Sequence, residues 1–255
     1  MALAGDGLHA VVLATCETGF TAPSELGEQS APLVEIAGKP LVRRVIEAVR
    51  GSARIGRVVM VGGGESPAAP FGADLDLPAC ESPDANLLAG LMVCEEGGPV
   101  VLLPGNLPFL TPEDLDTFVE AAEATGVDVV YPMLLRTSCE AAFPDLRRTY
   151  FRLAEGEVTG GNALYVNRDQ LVARPEIIAQ AAQIRREPWR LAMMVNPLVL
   201  LSLNAGRMSL RDVSQAAEKA LGVSAAAVIV DAPSLAMDIR KPIDLKAARE
   251  RLGAA

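Results

Sequence analysis

Short unbroken apolar runs alternate along the chain with stretches whose apolar positions recur at helical spacing. HAVVLA (His9 to Ala14), GRVVMVGG (Gly56 to Gly63), GPVVLLPG (Gly98 to Gly105) and GVDVVYPML (Gly126 to Leu134) read as buried strands. Continuous Val and Leu runs of this length suit parallel strands covered on both faces. Between them, KPLVRRVIEAVRG places Leu41, Val45, Ile46 and Val49 on one helical stripe and stops at Gly51. SPDANLLAGLMVCEEGG opens on a Ser82-Pro83 cap. LTPEDLDTFVEAAEATG offers Thr111 as N-cap, Pro112 at the first helical position, and Gly126 beyond the end. Strand, helix, strand at this spacing predicts βαβ units with right-handed crossovers.

The second half changes character. RTYFRLAEGEVTGGNALYVN reads as two extended segments joined by a turn at Glu155-Gly156. A helical stretch follows from about 168 to 221, broken near Pro188, Pro197 and Gly206. AAAVIVD and LAMDI return as strands, and KPIDLKAARERL closes as a helix. With no internal repeat and no clear linker, residues 1–255 read as one α/β domain carrying a helical insertion. The expected architecture is a three-layer α/β/α open, mostly parallel sheet.

Charge narrows the partners. The chain carries 23 basic and 32 acidic residues, a net charge of −9. A phosphate-backbone binder usually shows the opposite balance, so nucleic acid is not an expected partner. A small anion remains compatible, because helix N-termini and local basic groups bind one against an acidic average. Four scattered cysteines (Cys16, Cys80, Cys94, Cys139) and a single histidine, His9, make no Cys/His metal spacing and read as reduced thiols of a cytoplasmic protein. The N-terminus lacks a basic n-region, and VNPLVLLSL is too short to span a bilayer and holds Pro197, so no membrane partner is expected. That apolar insertion either completes the core or pairs two copies in a homodimer; completing the core is the simpler use.

In an open α/β sheet the ligand crevice lies outside the C-terminal ends of the strands. Four segments should converge there: the loop TCETGFTAPSELGEQSAP after the first strand, ESPDANLLAGL with Asn86 near a helix start, PGNLPFLTPED with Asn106, and VTGGNALY with Gly160, Gly161 and Asn162. Asp238, in LAMDIRKPIDL, reaches the same rim. Each has a plainer reading: a tight turn at Gly-Gly-Asn, a turn cap at Asn106 before Pro108, an Asx-turn or helix N-cap at Asp238. The first loop has no P-loop lysine and no GxGxxG pattern.

Taken in order, these segments resemble the MobA-like branch of the NTP transferase family, with its GT-A-like Rossmann fold. AVVLA, then GF, then APLVEIAGKPLVRRVIEAV is similar to the family's strand, phosphate loop and GKP-led helix. VVLLPGNLPFLTPEDLD is similar to its strand and metal turn, VTGGNALYVN to its glycine-rich acceptor loop, and LAMDIRKPIDLKAARERL to its closing segment. The likeness runs nearly end to end. It implies nucleotidyl transfer: a phosphate oxygen of a small phosphorylated acceptor attacks the α-phosphorus of an NTP, and pyrophosphate leaves. It implies Mg²⁺ bridging the phosphates. Carried onto this chain, it implies nucleotide contacts at Ala14, Thr15, Cys16, Glu17, Lys39 and Asn86. It also implies acceptor contacts at Gly160, Gly161 and Asn162, and metal contacts at Asn106 and Asp238.

The chain departs from the pattern where the chemistry is most demanding. Two loop glycines are replaced at Thr15 and Cys16. The arginine position falls near Phe20, the lysine position at Ala31, and the metal aspartate is Asn106. Two missing cations at a polyanion site cost about 1.5–3 kcal/mol each as charge-assisted contacts. An amide for a carboxylate keeps one oxygen ligand and removes the charge on which hard cations depend, so Mg²⁺ is expected to bind weakly or not at all. Two functions follow: nucleotidyl transfer, or binding of a nucleotide or sugar phosphate by a relative that has lost catalysis, as a sensor or partner subunit. In a decayed site, Asn106→Asp should strengthen Mg²⁺ binding.

Overall fold

The computed structural model describes residues 7–15, 31–62, 71–178 and 208–253. Its centre is a nine-stranded sheet in the order β5-β4-β1-β6-β10-β7-β9-β8, with β11 on the other side of β7. The strands are β1 (Leu8–Leu13), β4 (Ile55–Val61), β5 (Leu75–Leu77), β6 (Pro99–Pro104), β7 (Val129–Leu135), β8 (Phe151–Leu153), β9 (Gly156–Gly160), β10 (Leu164–Asn167) and β11 (Ala225–Ile229). A separate hairpin joins β2 (Glu35–Ile36) to β3 (Lys39–Pro40). β1 runs parallel to both β4 and β6, Val11 standing beside Val59 on one side and Leu102 on the other. β11 is parallel to β7. β10 is antiparallel to β6 and to β7, filling the slot between them.

Alternation of side chains splits the apolar runs between two cores. Ala10, Val12, Met60, Val101 and Leu103 face α1 (Leu41–Gly51) and α3 (Pro112–Glu123), packing on Val45, Ile46, Val49, Leu115 and Phe118. Val11, Leu13, Val59, Val61 and Leu102 face the other way, onto Leu87 and Leu91 of α2 (Pro83–Met92). Leu171 of α5 (Arg168–Ala173) and Leu221 of α6 (Leu210–Leu221) join that second core. Apolar on both faces, the central strands can only be interior, and this gives the three expected layers. Burial here removes β1 residues Ala10 to Leu13 from solvent completely.

The helix starts follow their caps. Ser82 Oγ accepts the Ala85 N–H at 3.1 Å and Thr111 Oγ1 the Asp114 N–H at 3.2 Å, each with proline at the next position. α1 ends at Gly51, where Ser52 turns the chain and its hydroxyl donates to Asp116 of α3.

Five features differ from the sequence expectation. The hairpin β2–β3, the edge strand β5 and the short helix α4 (Arg136–Ala142) carry no periodic signal long enough to read. The extended second half holds three strands rather than two, because β10 separates from β9 at Gly161. LAMDI is not a strand: Pro233–Ala236 forms a 3-10 turn and residues 237–240 run on irregularly. Pro233 has no N–H to give a ladder, and the segment's carbonyls are taken by side chains described below. The insertion read at 168–221 opens in α5 and closes in α6; residues 179–207 lie outside the described residues. The closing helix, α7 (Pro242–Gly253), is where KPIDLKAARERL predicts it. No described helix is long and apolar enough to cross a membrane.

Candidate functional site

The parallel strands β1, β4 and β6 end together. The Ala14 N–H donates to Val61 O and the Gly105 N–H to Leu13 O, both at 2.8 Å, so the three strand ends are zipped side by side. Thr15 lies against Gly62, whose φ of +94° and contact with the Thr15 methyl leave no room for a Cβ. At Gly105 a Cβ would stand 3.0 Å from both Pro32 Cβ and Val42 Cγ2. The turn that presents Asn106 is therefore pressed onto the 3-10 turn Ala31–Leu33 and α1.

A single irregular segment, residues 233–240, crosses this edge and ties the site together. Asn162 is 3% exposed, and its backbone N–H and Nδ2 both donate to Leu235 O, at 2.8 and 2.9 Å. Asn106 Nδ2 donates to Ile239 O at 2.8 Å, and the Ile239 N–H returns a bond to Asn106 O at 3.0 Å. Asp114, in the first turn of α3, accepts the Ser234 N–H at 2.8 Å. Asn106, Asn162 and Asp238 thus come to one rim from positions far apart in the chain. The diglycine sits beside it. Gly160 and Gly161 place bare backbone against Tyr131 and Pro132 of β7, and a Cβ on Gly161 would stand 2.8 Å from Pro132 Cγ. Their close approach is made to the protein's own strand, with the Gly161 N–H on Pro132 O at 2.8 Å.

The electrostatics centre on Asp238, which is 2% exposed. Its Oδ2 lies 3.0 Å from Arg240 Nε, and its Oδ1 lies 3.6 Å from Arg148 Nη2. Arg148 is itself buried: Nε donates to Ala236 O at 2.6 Å, Nη2 to Asp238 O at 2.8 Å, and Nη1 lies 3.7 Å from Asp244 Oδ1. Asp244, in the first turn of α7, accepts the N–H groups of Arg240 and Lys241.

This donor set does not fit a resident Mg²⁺. The ion requires near-octahedral oxygen ligands at about 2.0–2.1 Å and draws its affinity from carboxylate charge. Here one position is an amide whose Nδ2 is already committed, leaving Oδ1 buried without a hydrogen-bond partner. The other is a carboxylate held between two guanidinium groups. Among the described residues no three His, Cys, Asp or Glu side chains gather in a way that would hold a metal ion.

The remaining expected contacts are scattered by comparison. Lys39 Nζ lies 2.6 Å from Glu47 Oε2, and this bond holds the Glu47 carboxyl below its usual range. Asn86 stands in the first turn of α2, 3% exposed, with Oδ1 accepting the Cys80 N–H at 2.6 Å. Cys16 and Glu17 lie outside the described residues. Burial pushes the Cys94 and Cys139 thiols up to about 11, so neither supplies a thiolate at neutral pH. A cleft of about 210 Å³ lies at the opposite edge of the sheet, between Pro99, Gly126, Tyr165 and Asn167, and is no part of this rim. Arg148 and Arg240 carried no warning in the sequence: one sits in a featureless DLRRTY, the other two residues beyond an aspartate that it folds back to meet.

A mostly parallel sheet with an antiparallel strand let in between β6 and β7, and its loops gathered at the C-terminal edge, has the architecture of the nucleotidyltransferases. The profile of the MobA-like NTP transferase domain matches residues 23–195. The chain belongs to that family. It is 33% identical to a hypothetical transferase from Thermus thermophilus, with a TM-score of 0.78 over 94% of this chain and 99% of the other. The fold is shared with 2-C-methyl-D-erythritol 4-phosphate cytidylyltransferase, also from Thermus thermophilus (17% identity, TM-score 0.53, 94% and 96% covered). It is shared too with molybdopterin-guanine dinucleotide biosynthesis protein A from Archaeoglobus fulgidus (16% identity, TM-score 0.51, 97% and 100% covered). Among curated proteins no sequence matches the chain.

Proposed function

We propose that this chain binds a nucleoside triphosphate at the C-terminal edge of its sheet, beside a small phosphorylated metabolite, and that it has lost metal-assisted transfer. The triphosphate lies along the ends of β1 and β4, at Ala14 and Thr15 with Cys16 and Glu17 next in the chain, and Asn86 in the first turn of α2 and Lys39 are its further contacts. The first turn of α2, which holds Asn86, is a positive dipole end, and that suits an anion. The phosphorylated metabolite lies toward Gly160, Gly161 and Asn162. The observation that carries the loss of transfer is the state of Asp238, a carboxylate engaged by Arg148 and Arg240, with an amide, Asn106, bonded to the next residue of its segment.

A second reading is favoured by the 33% identity to a protein named as a transferase and by the retained Asp238. In it, a phosphate oxygen of the acceptor attacks the α-phosphorus of the NTP; the new P–O bond forms as the α–β bridge breaks, and pyrophosphate leaves. One pair of assays separates the readings. Thermal shift with CTP, GTP, ATP and UTP reports binding, and pyrophosphate release with a panel of sugar and polyol phosphates reports transfer. Binding without pyrophosphate supports the first reading, and pyrophosphate release the second. No shift with any of the four nucleotides sinks both.

A further inference from the structure

We infer that an internal arginine clamp has taken the place of a divalent cation at this rim, so that the crevice receives a phosphorylated ligand without a protein-held metal. The inference deepens the nucleotide reading, and it can be tested without any nucleotide. Three observations carry it. Asp238 Oδ2 and Oδ1 face Arg240 Nε at 3.0 Å and Arg148 Nη2 at 3.6 Å. Arg148, 5% exposed in its side chain, is fixed by the carbonyls of Ala236 and Asp238, and is thereby a built-in charge rather than a mobile one. Asn106 Oδ1 is a buried oxygen with no hydrogen-bond partner, an acceptor that the pairing of Asp238 with Arg148 and Arg240 leaves unused.

Arg148 lies between two carboxylates, 3.6 Å from Asp238 Oδ1 and 3.7 Å from Asp244 Oδ1, so both already face a buried cation. A dication brought to Asp238 has to displace two guanidinium contacts, whereas a phosphorylated ligand does not. One further consequence separates this inference from simple decay of the site. Restoring a carboxylate at Asn106 alone does not recreate a metal site, because Asp238 is still neutralised. Removal of a clamp charge is needed as well.

The test is Mn²⁺ binding, followed by the electron paramagnetic resonance of free ion, on the wild type, Asn106→Asp, and Asn106→Asp combined with Arg240→Met. Arg240 is chosen because its side chain is one-third exposed, so its loss spares the fold; circular dichroism checks that. The wild type and the single variant should bind more weakly than about 1 mM, the weak limit for hard dications on proteins. The double variant should bind at least about tenfold more tightly than the single one, the scale on which outer-sphere partners act. Sub-millimolar binding by the wild type or by Asn106→Asp alone overturns the inference, as does a double variant no tighter than the single. In a second arm, any nucleotide that shifts the melting temperature should do so equally in EDTA and in Mg²⁺, and a shift that requires Mg²⁺ overturns it. A complete absence of nucleotide shift removes the proposed function alone, since the Mn²⁺ arm decides the clamp.

Discussion

Arg148 should be among the costliest residues in the molecule to replace, and Arg148→Met measures why. Methionine fills much of the same space and donates nothing. Two buried carbonyls, Ala236 O at 2.6 Å and Asp238 O at 2.8 Å, lose their donors. Each unsatisfied group costs about 1–3 kcal/mol. Two carboxylates, Asp238 and Asp244, lose a cation at 3.6 and 3.7 Å. Breaking a buried pair by deleting one partner costs about 3–5 kcal/mol, and the two accounts overlap, so they do not add. Asp238 keeps Arg240, and Asp244 keeps two backbone N–H groups, which places the expected loss at the low end, about 3 kcal/mol. For a chain of this size that lowers the melting temperature by about 6–12 °C.

Urea unfolding followed by far-ultraviolet circular dichroism gives the free energy directly. A double-mutant cycle with Asp238→Asn isolates the charge: in the Arg148→Met background the second change should be less harmful than in the wild type, by at least about 1 kcal/mol. A loss under about 1 kcal/mol for Arg148→Met refutes the reasoning, since that is the behaviour of a solvated surface ion pair.

Two further outcomes follow from other parts of the fold. Gly90 lies in α2 where an added Cβ would stand 2.5 Å from Val11 Cγ1 and 3.2 Å from Val61 Cγ2. Overpacking costs about 1–3 kcal/mol and a helical alanine returns up to about 1. Gly90→Ala should therefore lower the urea midpoint, and an unchanged or higher midpoint contradicts the packing. His9, the chain's one histidine, is 5% exposed, and its Nδ1 accepts the Glu95 N–H at 3.3 Å. Burial holds its pKa below the ordinary 6.5, with Arg57 pushing the same way and Glu95 opposing. The unfolded chain then binds the proton more readily. The stability contributed by neutral His9 is complete above that ordinary value and is lost as pH falls through the lowered one, with a slope of at most about 1.4 kcal/mol per pH unit. His9→Gln should flatten the stability curve in that window; an equally steep curve in the variant sinks the assignment.

What the sequence made legible was whatever rests on burial and caps. HAVVLA and GPVVLLPG owe their apolar runs to β1 and β6 being covered on both faces, and Ser82 and Thr111 start helices through bonds within one turn. Illegible were relations that long separation creates. LAMDI has the composition of a strand, yet its partners are Asn106, Arg148 and Asn162 rather than a neighbouring ladder. Lys39 looks like a free cation beside a glycine, but it is paired with Glu47, one face of the following helix. The convergence of Asn106, Asn162 and Asp238 was readable from the rule that ligand loops gather at strand ends, although Asp238 arrives on irregular chain rather than on a strand. What surrounds Asp238 was not, because Arg148 lies 90 positions away.

The amide at 106 acquires a reason from the same network. In a turn that holds a cation between two carboxylates, the ion itself draws the strand end and the closing segment together. Here that link is made by Asn106 Nδ2 on Ile239 O, a bond an ionised aspartate cannot donate. Asn106 and the arginine clamp are therefore complementary changes. The amide replaces the ion's mechanical role, and Arg148 and Arg240 replace its charge beside Asp238. An aspartate at 106 would face the Ile239 carbonyl without a proton to offer, and Asn106→Asp alone should destabilise the fold by about 1–3 kcal/mol, the cost of leaving a buried carbonyl unmatched. Saturating Mn²⁺ should recover that loss only when Arg240→Met is also present. Recovery in the single variant would mean that the amide had been tolerated rather than required.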